Sequence, residues 1–68
     1  MFELNKYGKI VLNNTEVYYG CVIQVDEKHA ILKLQVVDWR DRFSKPHKFY
    51  EITAPMSATV IKYNVEGL

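Results

Sequence analysis

The sequence has one cysteine, two prolines and three glycines in 68 residues. A single cysteine excludes an internal disulfide, so the fold must be stable without a covalent cross-link. An unpaired thiol suits a reducing compartment, and we expect a cytoplasmic location. No apolar run approaches the roughly 18 residues that a membrane-spanning helix needs, and no basic-then-apolar signal peptide opens the chain. We therefore expect no membrane association.

A strong net charge is also absent. The formal net charge is +1, so the chain as a whole has no field that attracts nucleic acid at long range. The hydrophobic fraction of 49% is too high for a disordered chain, and the charged fraction of 25% is ordinary for a globular domain. A chain of this length has room for one domain, covering residues 1–68, with a single small core.

The spacings that mark metal sites and catalytic sites are missing as well. Cys21, His29 and His47 follow neither a CxxC nor an HxxxH pattern, so we expect no metal ion and no cofactor. Ser44 and Ser57 have no histidine partner at a recognisable spacing. A domain this small rarely has a cleft that positions reacting groups. We therefore predict that the protein is not an enzyme.

The clearest positive feature is a predicted β-hairpin over residues 20–34. Apolar residues occupy odd positions before the polar turn Asp26–His29 and even positions after it. Opposed residues in an antiparallel pair share one face, so a four-residue loop here fixes which side chains are buried together. The six residues of this predicted inner face form the pairs Val25–Ala30, Ile23–Leu32 and Cys21–Leu34.

Five strands are predicted in all: Tyr7–Leu12, Glu16–Val25, Ala30–Val37, His47–Thr53 and Ser57–Val65. Gly20 lies inside the second strand and predicts a bend or bulge there. A flat sheet would expose an apolar face, whereas closing or half-rolling the sheet buries it. An OB-like barrel usually has a helix between strands three and four, where this chain has a loop with Pro46. We therefore predict an all-β fold, a five-stranded SH3-like small barrel, with Ile61 of the last strand in its core.

A recognisable spacing pattern runs from residue 10 to residue 34. A leucine ends a strand, an asparagine lies in the turn, a glycine follows two tyrosines, and an aspartate comes six residues after the glycine. The matching positions are Leu12, Asn14, Tyr18, Gly20, Asp26, Leu32 and Leu34. This pattern resembles the first motif of the Sm and Sm-like family, which includes the Hfq type, although similar hairpins occur in KOW and Tudor modules. Thr15 stands where that family has a turn glycine, and Ala30 where it has a base-contacting asparagine. The resemblance implies an Sm-like small barrel and RNA binding by a ring of subunits.

The segment from Trp39 to Lys48 is rich in basic and aromatic residues. It holds four Lys or Arg residues against the single acid Asp41. Basic side chains neutralise phosphates and aromatic rings stack on bases, so this composition suits contact with nucleic acid. The alternatives are a lid, in which Trp39 and Phe43 cover one end of the barrel, and a contact with a protein. The candidate binding residues are Trp39, Arg40, Arg42, Phe43, Lys45, His47 and Lys48.

Two functions stay open on the sequence alone. The first is a non-catalytic small barrel that binds RNA or DNA through this basic aromatic loop. The second is a protein-interaction or inhibitor module, an accessory or phage-type regulator that docks through an edge strand or the same loop. Self-association into a homo-oligomer is expected because the chain is small and a short sheet leaves an open edge.

Tyrosines offer one further interpretation. An aromatic cage for a methylated amine needs several aromatic rings around one pocket, whereas tyrosines in strands commonly pack half-buried against their neighbours. The five tyrosines are Tyr7, Tyr18, Tyr19, Tyr50 and Tyr63.

Overall fold

The computed structural model describes residues 2–41 and 48–63, and most of these belong to one antiparallel sheet. Short three-residue 3₁₀ turns follow the third strand at Trp39–Asp41 and the fourth at Met56–Ala58. The predicted all-β fold with five antiparallel strands is confirmed. No helix among the described residues is long and apolar enough to cross a membrane. The strands are β1 (Gly8–Leu12), β2 (Glu16–Asp26), β3 (Ile31–Val37), β4 (Phe49–Pro55) and β5 (Thr59–Lys62).

The sheet is strongly curled. The strand order is β4-β3-β2-β1-β5, so β4 and β5 are the two edges and would lie about 19 Å apart in a flat sheet. Only Met56–Ala58 join the end of β4 to the start of β5, and a link of that length reaches about 14 Å at most. The two edges therefore approach each other at this corner. Within the described residues β4 and β5 do not pair with each other, so the sheet is not closed into a barrel.

The β2–β3 hairpin has a different register from the predicted one. Val25 pairs with Leu32 and Val22 pairs with Leu34, so the three predicted pairs were wrong. The ladder shifts between these two pairs, where Ile23 is the extra residue of a β-bulge. The bulge puts Val22 and Val25 on the same face, although they lie three residues apart. A strict period of two cannot reveal such an insertion, because it assumes a regular ladder.

The new register moves two residues out of the predicted inner face. Ala30 lies in the turn before β3, with a φ of 55°, and is exposed. Cys21 lies between Gly20 and Val22, which pair with core residues of β3, so its side chain points to the opposite face. The thiol is nevertheless buried there. The predicted inward position was therefore wrong for both residues, while the predicted burial of Cys21 was right.

The core lies on the concave side of the curled sheet. Leu32 and Leu34 are fully buried as predicted, whereas Ile23, Val25 and Ile61 are only partly buried. Residues from β1, β2 and β3 fill the centre, and Ala54 of β4 joins them. The largest fully buried side chains are Ile10, Leu32, Leu34, Val22 and Val36.

Gly20 allows a close approach between β2 and β3. A β-carbon at this position would collide with the carbonyl oxygen of Gln35 and would lie 2.8 Å from the Cα atom of Val36. The predicted bulge is located at Ile23, three residues further along, and Gly20 instead provides the room for tight packing of the strands.

The N-terminal segment runs alongside β2. Leu4 forms an isolated parallel bridge with Val22, and the Asn5 N–H donates to the Val22 carbonyl oxygen at 2.8 Å. Phe2 packs against the core, and the Glu3 N–H donates to the Tyr63 hydroxyl oxygen at 2.8 Å. These contacts tie the first residues to both the middle and the end of the described chain.

Candidate functional site

The side of the sheet opposite the main core, called the outer face here, carries a row of residues that crosses several strands. Lys9 of β1 lies directly opposite Lys62 of β5 on one side and Tyr19 of β2 on the other. Directly opposed residues share a face, and the next residue along β1, Ile10, is buried in the core. Lys62, Lys9 and Tyr19 therefore lie together on the outer face.

The same row continues across β3 and β4. Gly20 pairs with Val36 on the core side, so the adjacent residues Tyr19 and Val37 share the outer face. Val37 in turn pairs with Phe49. We call this set the outer row; in strand order it consists of Lys62, Lys9, Tyr19, Val37 and Phe49.

Four aromatic side chains gather along the outer row. The Tyr19 and Trp39 rings have their centroids 6.0 Å apart and meet edge to face at 89°. The Tyr7 and Phe49 rings have their centroids 6.1 Å apart at 51°. Both separations are typical of favourable aromatic pairs. Trp39 is 47% exposed, Tyr7 41% and Phe49 39%, so three of the rings present much of their surface to solvent. We call these four residues the aromatic patch.

A small second core lies beneath the aromatic patch. Cys21 is 4% exposed and Val37 is 3% exposed, yet neither belongs to the main core cluster on the concave face. Val37 pairs with Phe49, and Cys21 is two residues from Tyr19 on the same face of β2. Burial raises the pKa of the Cys21 thiol. The rings are therefore packed on an apolar base rather than projecting singly from the sheet.

Trp39 reaches the patch because the chain turns sharply after β3. The Asp38 carboxylate accepts a hydrogen bond from the Arg40 backbone N–H at 3.0 Å. Arg40 Nε and Nη2 also donate to this carboxylate, at 3.0 and 3.1 Å. The Asp38 N–H donates to the Lys48 carbonyl oxygen at 2.8 Å, which joins the two ends of the loop. These bonds fix the turn that carries Trp39.

Arg40 already has an acidic partner. Its guanidinium group is bound by Asp38 in a two-point contact, and this carboxylate raises the pKa of Arg40. The guanidinium carbon also lies 5.8 Å from the centre of the Tyr50 ring. A phosphate must therefore compete with Asp38 for this side chain.

The structure describes three of the seven residues predicted to bind. Trp39 lies against Tyr19, Arg40 lies against Asp38, and Lys48 is exposed at the far end of the loop. The other four predicted binding residues lie outside the described residues: Arg42, Phe43, Lys45 and His47.

The lysines of the outer row were not among the residues predicted to bind. Lys9 and Lys62 each lie in a predicted strand, and only the pairing of β1 with β5 brings them side by side. The alternation of Tyr7, just before β1, with Lys9 in β1 was a usable signal, since residues two positions apart in an extended chain share one face. Their position next to Tyr19 could not be read without the register.

The tyrosines do not converge on one cage. Tyr18 donates its hydroxyl to Glu16 Oε1 at 3.2 Å, and burial together with this carboxylate raises the pKa of Tyr18. Tyr63 accepts from the N-terminal backbone and Tyr50 lies against Arg40, while Tyr7 and Tyr19 belong to the aromatic patch. The rings are thus distributed over separate contacts on both faces.

A shallow polar pocket lies at the opposite end of the outer face, lined by Gln24, Asp26, Ile31, Lys33 and Thr53. Next to it, the Asp26 carboxylate lies 2.8 Å from the Nδ1 atom of His29. Among the described residues, no group of three or more His, Cys, Asp or Glu side chains is arranged to hold a metal ion.

Comparison of the chain with protein-family models, with curated proteins and with solved structures finds no match. Function must therefore be argued from the chemistry of the site.

Proposed function

We propose that this chain is a non-catalytic module that binds nucleic acid, RNA or DNA, through the aromatic patch and the lysines of the outer row. The observation that carries the proposal is the contact of Trp39 with Tyr19, in the same row as Lys9. Through this contact Trp39, the first residue of the segment predicted to bind, joins the outer face. Exposed rings offer stacking surfaces for bases, and lysines attract phosphates.

The charges around the patch support this ligand class. Lys9 and Lys62 lie side by side at one end of the outer row, and their charges add where a phosphate would lie. Arg40 and Asp38 largely cancel each other. Glu51, which pairs with Gln35 beside the row, is the acid nearest to Phe49 along β4. The local balance is positive although the net charge of the chain is only +1.

We infer in addition that the curled sheet belongs to the SH3-like small barrels and is of the Sm-like kind. The strand order, with β5 beside β1, and the short 3₁₀ link between β4 and β5 support this assignment. The pattern from Leu12 to Leu34 that resembles the first Sm motif supports it too. RNA binding in that family agrees with the ligand class proposed for the outer face.

The test is binding of a fluorescently labelled oligonucleotide at several salt concentrations. We expect binding at low salt, with the logarithm of affinity falling by about 0.7 per phosphate contact as the logarithm of salt rises. Changing both Lys9→Ala and Lys62→Ala should weaken binding and reduce this slope by about 1.4.

The matched control is the double variant Lys28→Ala, Lys33→Ala, which removes the same charge at the other end of the molecule. It should bind nearly as well as the wild type. Equal losses of affinity in the two double variants would show that binding depends on the overall charge of the chain. That result would contradict the proposed surface. Absence of binding to any nucleic acid at low salt would exclude the function itself.

A protein-interaction module is the second candidate. It is favoured by a row of valines on the outer face, where Val11 pairs with both Val17 and Val60. Val60 is 56% exposed and Val17 48% exposed. Neighbouring apolar side chains that stay exposed commonly mark contact surfaces. This candidate takes precedence if the salt titration detects no nucleic-acid binding.

A further inference from the structure

We propose that the outer face selects single-stranded over double-stranded nucleic acid, with bases stacked on Trp39 and Phe49 and the backbone held by Lys9 and Lys62. This inference rests on the proposed function and specifies its ligand. It is carried by the two ring pairs of the aromatic patch together with the order of residues in the outer row.

The aromatic patch contributes only to single-strand binding. Stacking requires an unpaired base whose face is accessible, whereas the base faces of a duplex are already covered. Trp39 and Phe49 are both exposed by more than a third, and each is supported by a second ring, Tyr19 and Tyr7 respectively. Supported rings lose little conformational freedom on binding, which favours affinity.

The order of the outer row assigns a path to the strand. The lysines occupy β5 and β1, and Phe49 occupies β4 at the other edge. A strand that lies along the outer row therefore meets Lys62 and Lys9, which hold phosphates, at one end and Trp39 and Phe49, which stack on bases, at the other.

The experiment compares three labelled probes: a short oligothymidylate, the corresponding oligouridylate and a blunt duplex of the same length. Trp39 is the only tryptophan, so its fluorescence reports on the patch directly. We expect at least tenfold tighter binding of the single strands than of the duplex, with quenching of Trp39 emission on saturation. The thymidylate and uridylate arms then decide whether the preferred strand is DNA or RNA.

Phe49→Leu tests stacking while keeping an apolar side chain over Val37. It should weaken single-strand binding by about fivefold to 150-fold and leave duplex binding unchanged. Val60→Leu, on the outer face but outside the aromatic patch, is the control and should change neither single-strand affinity nor duplex affinity. Thermal melting of both variants checks that they remain folded, and Trp39→Leu provides a second test if Phe49→Leu unfolds.

The outcomes separate the inference from the proposed function. Equal affinity for duplex and single strand, with unquenched Trp39 emission, overturns the selectivity and leaves nucleic-acid binding standing. Single-strand binding unaffected by both Phe49→Leu and Trp39→Leu overturns the stacking. Failure of all three probes to bind at low salt overturns the function and the inference together.

Discussion

Val22 lies directly opposite Leu34, and both side chains are completely buried. The pair precedes the bulge at Ile23, and the Val22 carbonyl oxygen also accepts the Asn5 N–H. The centre of the core thus depends on a β2–β3 pair that the N-terminal segment also contacts.

Removing the Leu34 side chain should destabilise the protein severely. Leu34→Ala leaves a cavity at the centre of the core and should lower the free energy of unfolding by about 2–5 kcal/mol. The free energy of unfolding of a small domain is only about 5 kcal/mol or slightly more, so much of the population should unfold. Urea denaturation followed by circular dichroism measures the change. Val60→Ala, at an exposed site, should stay within about 0.5 kcal/mol of wild type. Equal effects of the two substitutions would contradict the core described here.

Ala30→Gly should stabilise the protein. Ala30 has a φ of 55°, which costs an L-amino acid about 1–2 kcal/mol and costs glycine almost nothing. Its position is fixed, because its N–H donates to the Glu27 backbone carbonyl oxygen at 3.3 Å and its own carbonyl oxygen accepts the Met56 N–H at 2.9 Å. Glycine also increases the conformational entropy of the unfolded chain, which offsets part of this gain. The free energy of unfolding should therefore rise by up to about 1 kcal/mol. Ala54→Gly, in β4, should instead destabilise. A melting temperature lowered by both substitutions would show that the turn is not strained.

Cys21 should make stability fall in alkaline solution. Burial raises its pKa in the folded state above its ordinary value near 9.0. As pH rises past that value, the unfolded chain loses the thiol proton while the folded chain keeps it, so unfolding becomes more favourable. The stability contribution is complete below about pH 9 and is lost as pH rises towards the folded pKa. The urea midpoint of wild type should therefore decline more steeply above pH 9 than that of Cys21→Ala, which retains the similar contribution of Tyr18. Parallel pH profiles would rule out this role of the thiol.

Glu51→Gln should strengthen nucleic-acid binding. Glu51 lies beside the outer row, two residues from Phe49 on the same face of β4, and repels phosphates there. One charge about 10 Å from a phosphate in water contributes roughly 0.4 kcal/mol, which corresponds to about a twofold tighter complex at low salt. Glu27→Gln removes the same charge from the distant turn and serves as the control in the same titration. A larger gain from the control would contradict the location of the site.

The expected self-association can be tested at the two edges of the sheet. Strands β4 and β5 each have only one neighbouring strand within the described residues, and open edges favour pairing between chains. Analytical ultracentrifugation over a wide concentration range should detect species heavier than the 8.0 kDa chain. A single 8.0 kDa species at every concentration would refute self-association.

The five strands could be predicted because their signals are local. Asn13 and Asn14 adopt positive φ angles of 51° and 61° in the turn after β1, as their residue type favours. Alternating apolar residues then identify each strand without knowledge of its neighbours. The sequence therefore determined the number of strands, their approximate limits and the burial of Leu32 and Leu34.

Only the tertiary structure decided the register of the central hairpin and the composition of the outer face. The bulge at Ile23 changes which residues face the core, and no local pattern marks it, because it depends on how β2 fits β3 and the N-terminal segment. Trp39 meets Tyr19, and Tyr7 meets Phe49, across distances of 20 and 42 positions in the chain. Periodicity shows which residues of one strand share a face. Which strands become neighbours, and therefore which faces combine into a site, follows from the curl of the whole sheet around its core.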